Sequence, residues 1–264
     1  MRQIISLVLL ALFQFIFSPS AFSDNPPWNY PEQSIPGGWG SVRGADPVPV
    51  LSYPYATCAV GGKQAPVDIN SAGIVHKPID SLKIRWPKFN ADFFNSGHAI
   101  QVQPVDSYDG FTKVARESFE LIQAHIHTPS EHRLDGKAFP AEVHFVHMRN
   151  DGQVIVLAIV IEEGAANTEI QKMLDNTPNT PDVPTHNKTN IQMDLARILP
   201  KKTKSFFNYL GSLTTPPCSE GVLWYIFDHT ITLSSAQIAQ LRSFYDHNNR
   251  SIQPLNDREV DSNT

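Results

Sequence analysis

Short runs of alternating apolar and polar residues recur along the middle of this chain, and a period of two marks a strand with one buried face. Such runs cover residues 67–70, 98–105, 119–127, 141–148 and 222–227. Residues 154–161 are apolar at every position, which predicts a central strand covered on both faces. Helical spacing is rarer. Residues 169–174 and 191–198 carry it weakly. The clearest helix begins at Ser234, where Ser234 and Gln237 form an S-x-x-Q capping box ahead of Ile238, Leu241, Phe244 and Tyr245. Residues 24–62, rich in Pro, Gly and aromatics, read as an ordered coil wrapping a core, and the Pro-, Thr- and Asn-rich stretch 176–190 reads as a surface loop. With no internal repeat and no dividing linker, the pattern predicts one β-dominated α+β domain with small peripheral helices.

Composition narrows this picture. The 264 residues suffice for one large domain, with 41% hydrophobic and 18% charged residues, ordinary for a globular protein. A formal net charge of −5 without a clustered basic excess argues against a nucleic-acid partner. The N-terminus has its own signature. Arg2 precedes an apolar run over residues 4–17, broken by Ser6 and Gln14, and Ala21 and Ser23 fit a small-x-small cleavage site. The run is short for a membrane span. Residues 1–23 are therefore expected to be a signal peptide, leaving a domain over 24–264 in a periplasmic or secreted protein with no membrane span after signal removal. An uncleaved anchor is the alternative. The two cysteines, Cys58 and Cys218, favour a disulfide in an exported chain, with two buried thiols as the alternative.

Five of ten histidines fall between His125 and His147. In His125-Ile126-His127 the two imidazoles share a strand face, and neutral imidazoles converging from one strand are a natural half of a zinc site. A second run, residues 142–147, can pair beside it and supply His144. Three nitrogen ligands leave zinc its full double charge and one open position, which acidifies a bound water to near neutral pH. Gln123 and Glu142 each precede a ligand by two residues and are candidates to fix its tautomer. Spacing alone leaves open the alternative of buried histidines paired with carboxylates. His132 and His147 are read as structural, and His76, His186, His229 and His247 as loop or surface residues.

Six ordered segments together resemble the α-class carbonic anhydrases. Residues 62–69 resemble the family's GxxQSPIDI segment, and residues 95–98 its NxGH. Residues 121–132, LIQAHIHTPSEH, resemble QFHxHxPSEH, and residues 141–147 resemble AExHLVH. Residues 211–218, GSLTTPPC, and residues 253–258, QPLNDR, match two further family segments. Ala124 stands where the family usually has Phe. The resemblance implies a large, mostly antiparallel twisted central sheet, and a zinc enzyme for the reversible hydration of CO2 to bicarbonate and a proton by zinc-bound hydroxide. By position it implies zinc ligands His125, His127 and His144, a hydroxide-orienting pair Thr214 and Glu131, and a proton shuttle at His98. It implies an apolar CO2 wall from Val146, Val156, Leu213, Val222 and Trp224, with Thr215 at the bicarbonate position. Tyr30, Asn95 and Gln123 would hold ordered water, Cys58 would pair with Cys218, and Tyr209 would stand behind the Thr–Glu pair. The implied partners are small molecules, and an oligomer is compatible with them. Two rivals lack their signatures. A carbonic-anhydrase-like binding domain would be expected to lose a zinc histidine, and other hydrolases would show HExxH or GxSxG.

Overall fold

A computed structural model describes residues 26–44, 53–181 and 183–263. The expected signal peptide, residues 1–23, lies outside them. The strands are β1 (Asp68–Ile69), β2 (Ile74–His76), β3 (Leu82–Arg85), β4 (Phe89–Asn95), β5 (Ile100–Pro104), β6 (Phe111–Val114), β7 (Glu117–His127) and β8 (Arg133–Leu134). They continue as β9 (Ala141–Met148), β10 (Val154–Glu163), β11 (Thr185–Met193), β12 (Phe206–Ser212), β13 (Glu220–Phe227), β14 (Ile231–Leu233) and β15 (Val260–Ser262). The α-helices are α1 (Thr57–Val60), α2 (Thr168–Asn176) and α3 (Ser235–Phe244).

Thirteen strands make one sheet, whose main path runs β11-β4-β5-β7-β9-β10-β13-β12-β15-β2. Its pairings are antiparallel except β10–β13, β10–β14 and β15–β2. The strands with the strongest patterns, β7, β9, β10 and β13, are the sheet's middle. The run at 98–105 becomes a strand only at Ile100, so His98 sits in the bend between β4 and β5.

Alternation sorts the middle strands onto two cores. Ala124 and Ile126 of β7, Val143 and Phe145 of β9, and Leu157 and Ile159 of β10 pack into one core with Ile170 and Met173 of α2 and Ile238 and Leu241 of α3. The opposite face carries a smaller core in which Val146, Val156, Ala158, Trp224 and Ile226 pack under Ala65, Val67 and Ile69. β10 is thus covered on both faces, as its uniform apolarity demands. The Ser234 capping box forms with both of its reciprocal bonds.

Three expectations are corrected. Residues 185–193, placed partly in a surface loop, form edge strand β11 against β4. Every second position of it meets solvent, and residues 185–190 are polar on both faces, which hides the strand from an apolar pattern. Residues 191–198 are not a helix: they end β11 and form a 3-10 turn at Leu195–Arg197. The expected N-terminal coil contains 3-10 turns at Tyr30–Ser34 and Gly38–Ser41 and the short α1.

Candidate active site

The site lies on the smaller core's side of the sheet, and a bulge aims it there. Phe119 and Leu121 of β7 face the larger core, yet Gln123, two residues on, shares a face with His125 and His127. The register of β7 against β9 shifts between Leu121 and Gln123, and the extra residue turns odd positions to the other face. Beyond the bulge His125 stands directly opposite His144, with Gln101 of β5 on its other flank. In the neighbouring row Gln123 faces Val146, Val146 faces Val156, and Val156 faces Trp224.

These rows place one nitrogen each of His125, His127 and His144 within 4.8 Å of one another. Each ring is held by its remaining nitrogen. His125 Nδ1 lies 2.9 Å from Gln123 Oε1, His127 Nδ1 lies 2.6 Å from the Asn248 carbonyl, and His144 Nε2 lies 2.7 Å from Glu142 Oε1. Every one of these partners is an acceptor, so the held nitrogen carries the proton and the converging nitrogen keeps its lone pair. His127 Nε2 is buried without a hydrogen-bond partner. Burial, reinforced by its histidine neighbours, holds His125 well below the usual imidazole range. Burial takes His127 down to about 4 and lowers His144 against the raising pull of Glu142. Three neutral imidazoles with lone pairs converging on one point fit a zinc ion's donor set.

Glu142 holds this arrangement from behind. Burial works to raise its carboxyl, but His132 and His144 outweigh that and keep it well below the carboxylate range. It accepts the His132 backbone N–H at 2.8 Å and His132 Nδ1 at 2.7 Å, and His132 Nε2 meets the Tyr209 hydroxyl at 2.7 Å. Tyr209 therefore braces the Glu142–His132 link directly. Glu131 Oε2 lies 3.6 Å from His127 Nε2 and 4.0 Å from His144 Nδ1. Burial pushes the Glu131 carboxyl up to about 7, against lowering contributions from His144, the Arg250 N–H and the Thr214 hydroxyl. Thr214 is nearly buried in the β12–β13 loop, which the Cys58–Cys218 disulfide ties to α1.

A cavity of about 1110 Å³ opens above the histidines. Val146, Val156, Leu213 and Trp224 line it on one side, with Thr214 and Thr215. Tyr30, His98, Gln101 and Gln123 are also in its lining. The His98 ring stacks on Trp28 at 3.8 Å, with Nε2 2.9 Å from the Trp28 carbonyl. Two expected lining residues lie elsewhere. Val222 packs in the smaller core beneath Val146 and Val156. Asn95 is fully buried: its Oδ1 accepts from the Tyr245 hydroxyl and the Gly97 N–H, and its Nδ2 donates to the Pro178 carbonyl, so its carboxamide is spent within the protein. Its neighbour Ser96 lines the cavity instead.

Sequence reasoning missed three supports. Asn248 holds His127 through its carbonyl, caps the Thr128 N–H through Oδ1 and donates Nδ2 to the His98 carbonyl. The Arg250 N–H binds Glu131 Oε1 at 2.8 Å, and its buried guanidinium spans Gln64 Oε1, the Ala65 carbonyl and the Cys58 carbonyl. Gln101 donates to Gln103, which donates to the buried Asp92 carboxylate. A carboxylate only accepts, so it sets the sense of both amides and turns Gln101 Oε1 away from Gln103. No local pattern marks Asn248 and Arg250, because their partners lie more than 100 residues away in sequence.

Residues 52–264 match the family model described as eukaryotic-type carbonic anhydrase. The chain is 36% identical over 255 residues to a carbonic anhydrase of Pectobacterium carotovorum, covering 96% of this chain and 98% of that protein. It is 35% identical over 268 residues to one from Nostoc sp., covering 98% and 96%. Among solved structures, the α-carbonic anhydrase of Thermovibrio ammonificans in complex with the inhibitor sulfanilamide is 34% identical and superposes with a TM-score of 0.79, covering 90% of this chain and 99% of that one.

Proposed function

The chain belongs to the α-carbonic anhydrase family, enzymes that hydrate CO2, and on that premise we propose that it interconverts CO2 and bicarbonate at a zinc centre held by His125, His127 and His144. The observation that carries this reading is the meeting of three unprotonated imidazole nitrogens, one of them buried without a partner. Gln123, the Asn248 carbonyl and Glu142 hold the rings in the tautomers a cation requires. Bound by three neutral ligands, zinc supplies Lewis acidity that makes a water acidic near neutral pH.

The remaining chemistry belongs to the chain. Glu131, anchored by the Arg250 N–H, accepts a hydrogen bond donated by the Thr214 hydroxyl. The Thr214 oxygen then accepts from the reacting water and aims a lone pair at CO2. Val146, Val156, Leu213 and Trp224 hold CO2 by apolar contact, since it has no dipole to grip. Thr215 and the Thr214 N–H receive the bicarbonate-like state. Tyr30 and Gln123 order water toward His98, which takes up the released proton and passes it to buffer. Asn95 serves that path from behind, fixing the turn that carries His98.

We further propose that residues 1–23 are removed as a signal peptide and that the domain over 24–264 works in a periplasm or outside the cell, where its disulfide persists. No helix among the described residues is long and apolar enough to cross a membrane. The test is CO2 hydration followed with a pH indicator, before and after chelation. Fast hydration that vanishes with the metal and returns with added zinc is expected. A folded, zinc-loaded protein without hydration refutes the reading.

A further inference from the structure

Five histidines line the cavity, and two of them, His98 and His247, are not in the ligand triad. Among the described lining residues the one carboxylate is Asp246, and no lysine or arginine is present. His247 is 75% exposed, and its Nδ1 lies 3.2 Å from Asp246 Oδ1. Its backbone is left-handed, with φ 67, a conformation that leaves few residue types unstrained. The segment is anchored to the site at the very next residue. Asn248 binds His127 Nδ1 with its carbonyl and the His98 carbonyl with its side chain. One short stretch thus holds a ligand, touches the His98 turn and presents an imidazole at the cavity's mouth.

His98 alone is an awkward carrier in this arrangement. A carbonyl only accepts, so the contact with Trp28 places a proton on His98 Nε2 and aims it at a group that cannot take it. His247 is under no such constraint. Its Nδ1 lies beside the Asp246 carboxylate, and Nε2 is the ring nitrogen on the far side from that contact.

We propose that His247 is a second proton carrier, working in parallel with His98 between the cavity's water and external buffer; this rests on the hydration reading above. The step moves one proton, the one hydration releases with bicarbonate. A cavity water hands it to His247 Nε2, and a buffer base removes it to restore the neutral ring, with the Asp246 carboxylate beside Nδ1. No electrons are exchanged.

The test compares zinc-loaded wild type, His98→Ala and His98→Ala/His247→Asn in dilute buffer, then with imidazole added. Asparagine tolerates the positive φ but cannot carry the proton. The double variant is expected to show a kcat about five-fold or more below His98→Ala in dilute buffer, an unchanged kcat/KM, and the same kcat as His98→Ala once imidazole is present. Equal kcat values for the two variants in dilute buffer overturn the proposal. So does a fall in kcat/KM, which would mean that His247 acts through Asn248 on the ligand His127. Wild type without any hydration refutes the reading of the site itself, an outcome distinct from both.

Discussion

Glu142→Gln isolates the contribution of one buried carboxylate to the metal site. Both Glu142 oxygens are used: Oε1 accepts from His132 Nδ1 and His144 Nε2, and Oε2 accepts from the His132 backbone N–H. Glutamine keeps one oxygen and replaces the other with a donor. Placing that donor toward the His132 backbone is the less costly choice, because only one bond is lost. The result is a buried donor facing a donor, and roughly 2–3 kcal/mol of stability is lost with the unmade bond. His144 keeps an acceptor, now neutral, and becomes a weaker ligand. Loss of such an outer partner weakens zinc by about 10- to 100-fold. Urea unfolding of the metal-free protein measures the first effect, and competition with a chromogenic chelator the second. A zinc Kd within two-fold of wild type, in a variant that folds, refutes the claim that Glu142 tunes His144.

Thr214→Val keeps the side-chain shape and removes the hydroxyl, so kcat/KM for CO2 hydration should drop on the order of 100-fold with zinc content unchanged; an active, zinc-loaded variant would place the orienting group elsewhere. Burial drives His147 down to about 3, outweighing the raising bond to the Phe145 carbonyl. Between that value and the unfolded value near 6.5 the unfolded chain binds more protons, so stability falls as pH drops. From pH 7 to 5 the loss from this one group is about 2 kcal/mol. Urea unfolding of His147→Gln should lack that part of the wild-type decline, and equal declines would contradict it. Cys58→Ser/Cys218→Ser opens a link across 160 residues. The chain-entropy model gives about 5 kcal/mol for that closure, so the midpoint in urea should fall sharply, and a change under about 1 kcal/mol would show that the open chain is already constrained.

The legible parts of this protein are those encoded by neighbours in sequence. β10 announces itself because residues 154–161 are apolar at every position, and α3 because Ser234 and Gln237 cap each other three residues apart. His125 and His127 lie on one face because a strand's period is two, and no tertiary contact is needed to say so. The edge strand β11 fails the same test, since its solvent-facing positions read as loop.

Which face the histidines occupy was decided elsewhere. Parity alone puts Phe119, Leu121 and His125 together, and only the bulge against β9 separates the two apolar residues from the ligand. The pairing of His125 with His144, the grip of Asn248 on His127 and the hold of Arg250 on Glu131 join residues 19 to 121 positions apart. The sequence by itself determined strand periodicity, caps and the chemical inventory, because these follow from dihedral preference and side-chain type within a few residues. Register, bulge position and the acceptors that fix each imidazole were decided by tertiary structure, because each is the outcome of long-range packing in which both faces of the sheet must be filled at once.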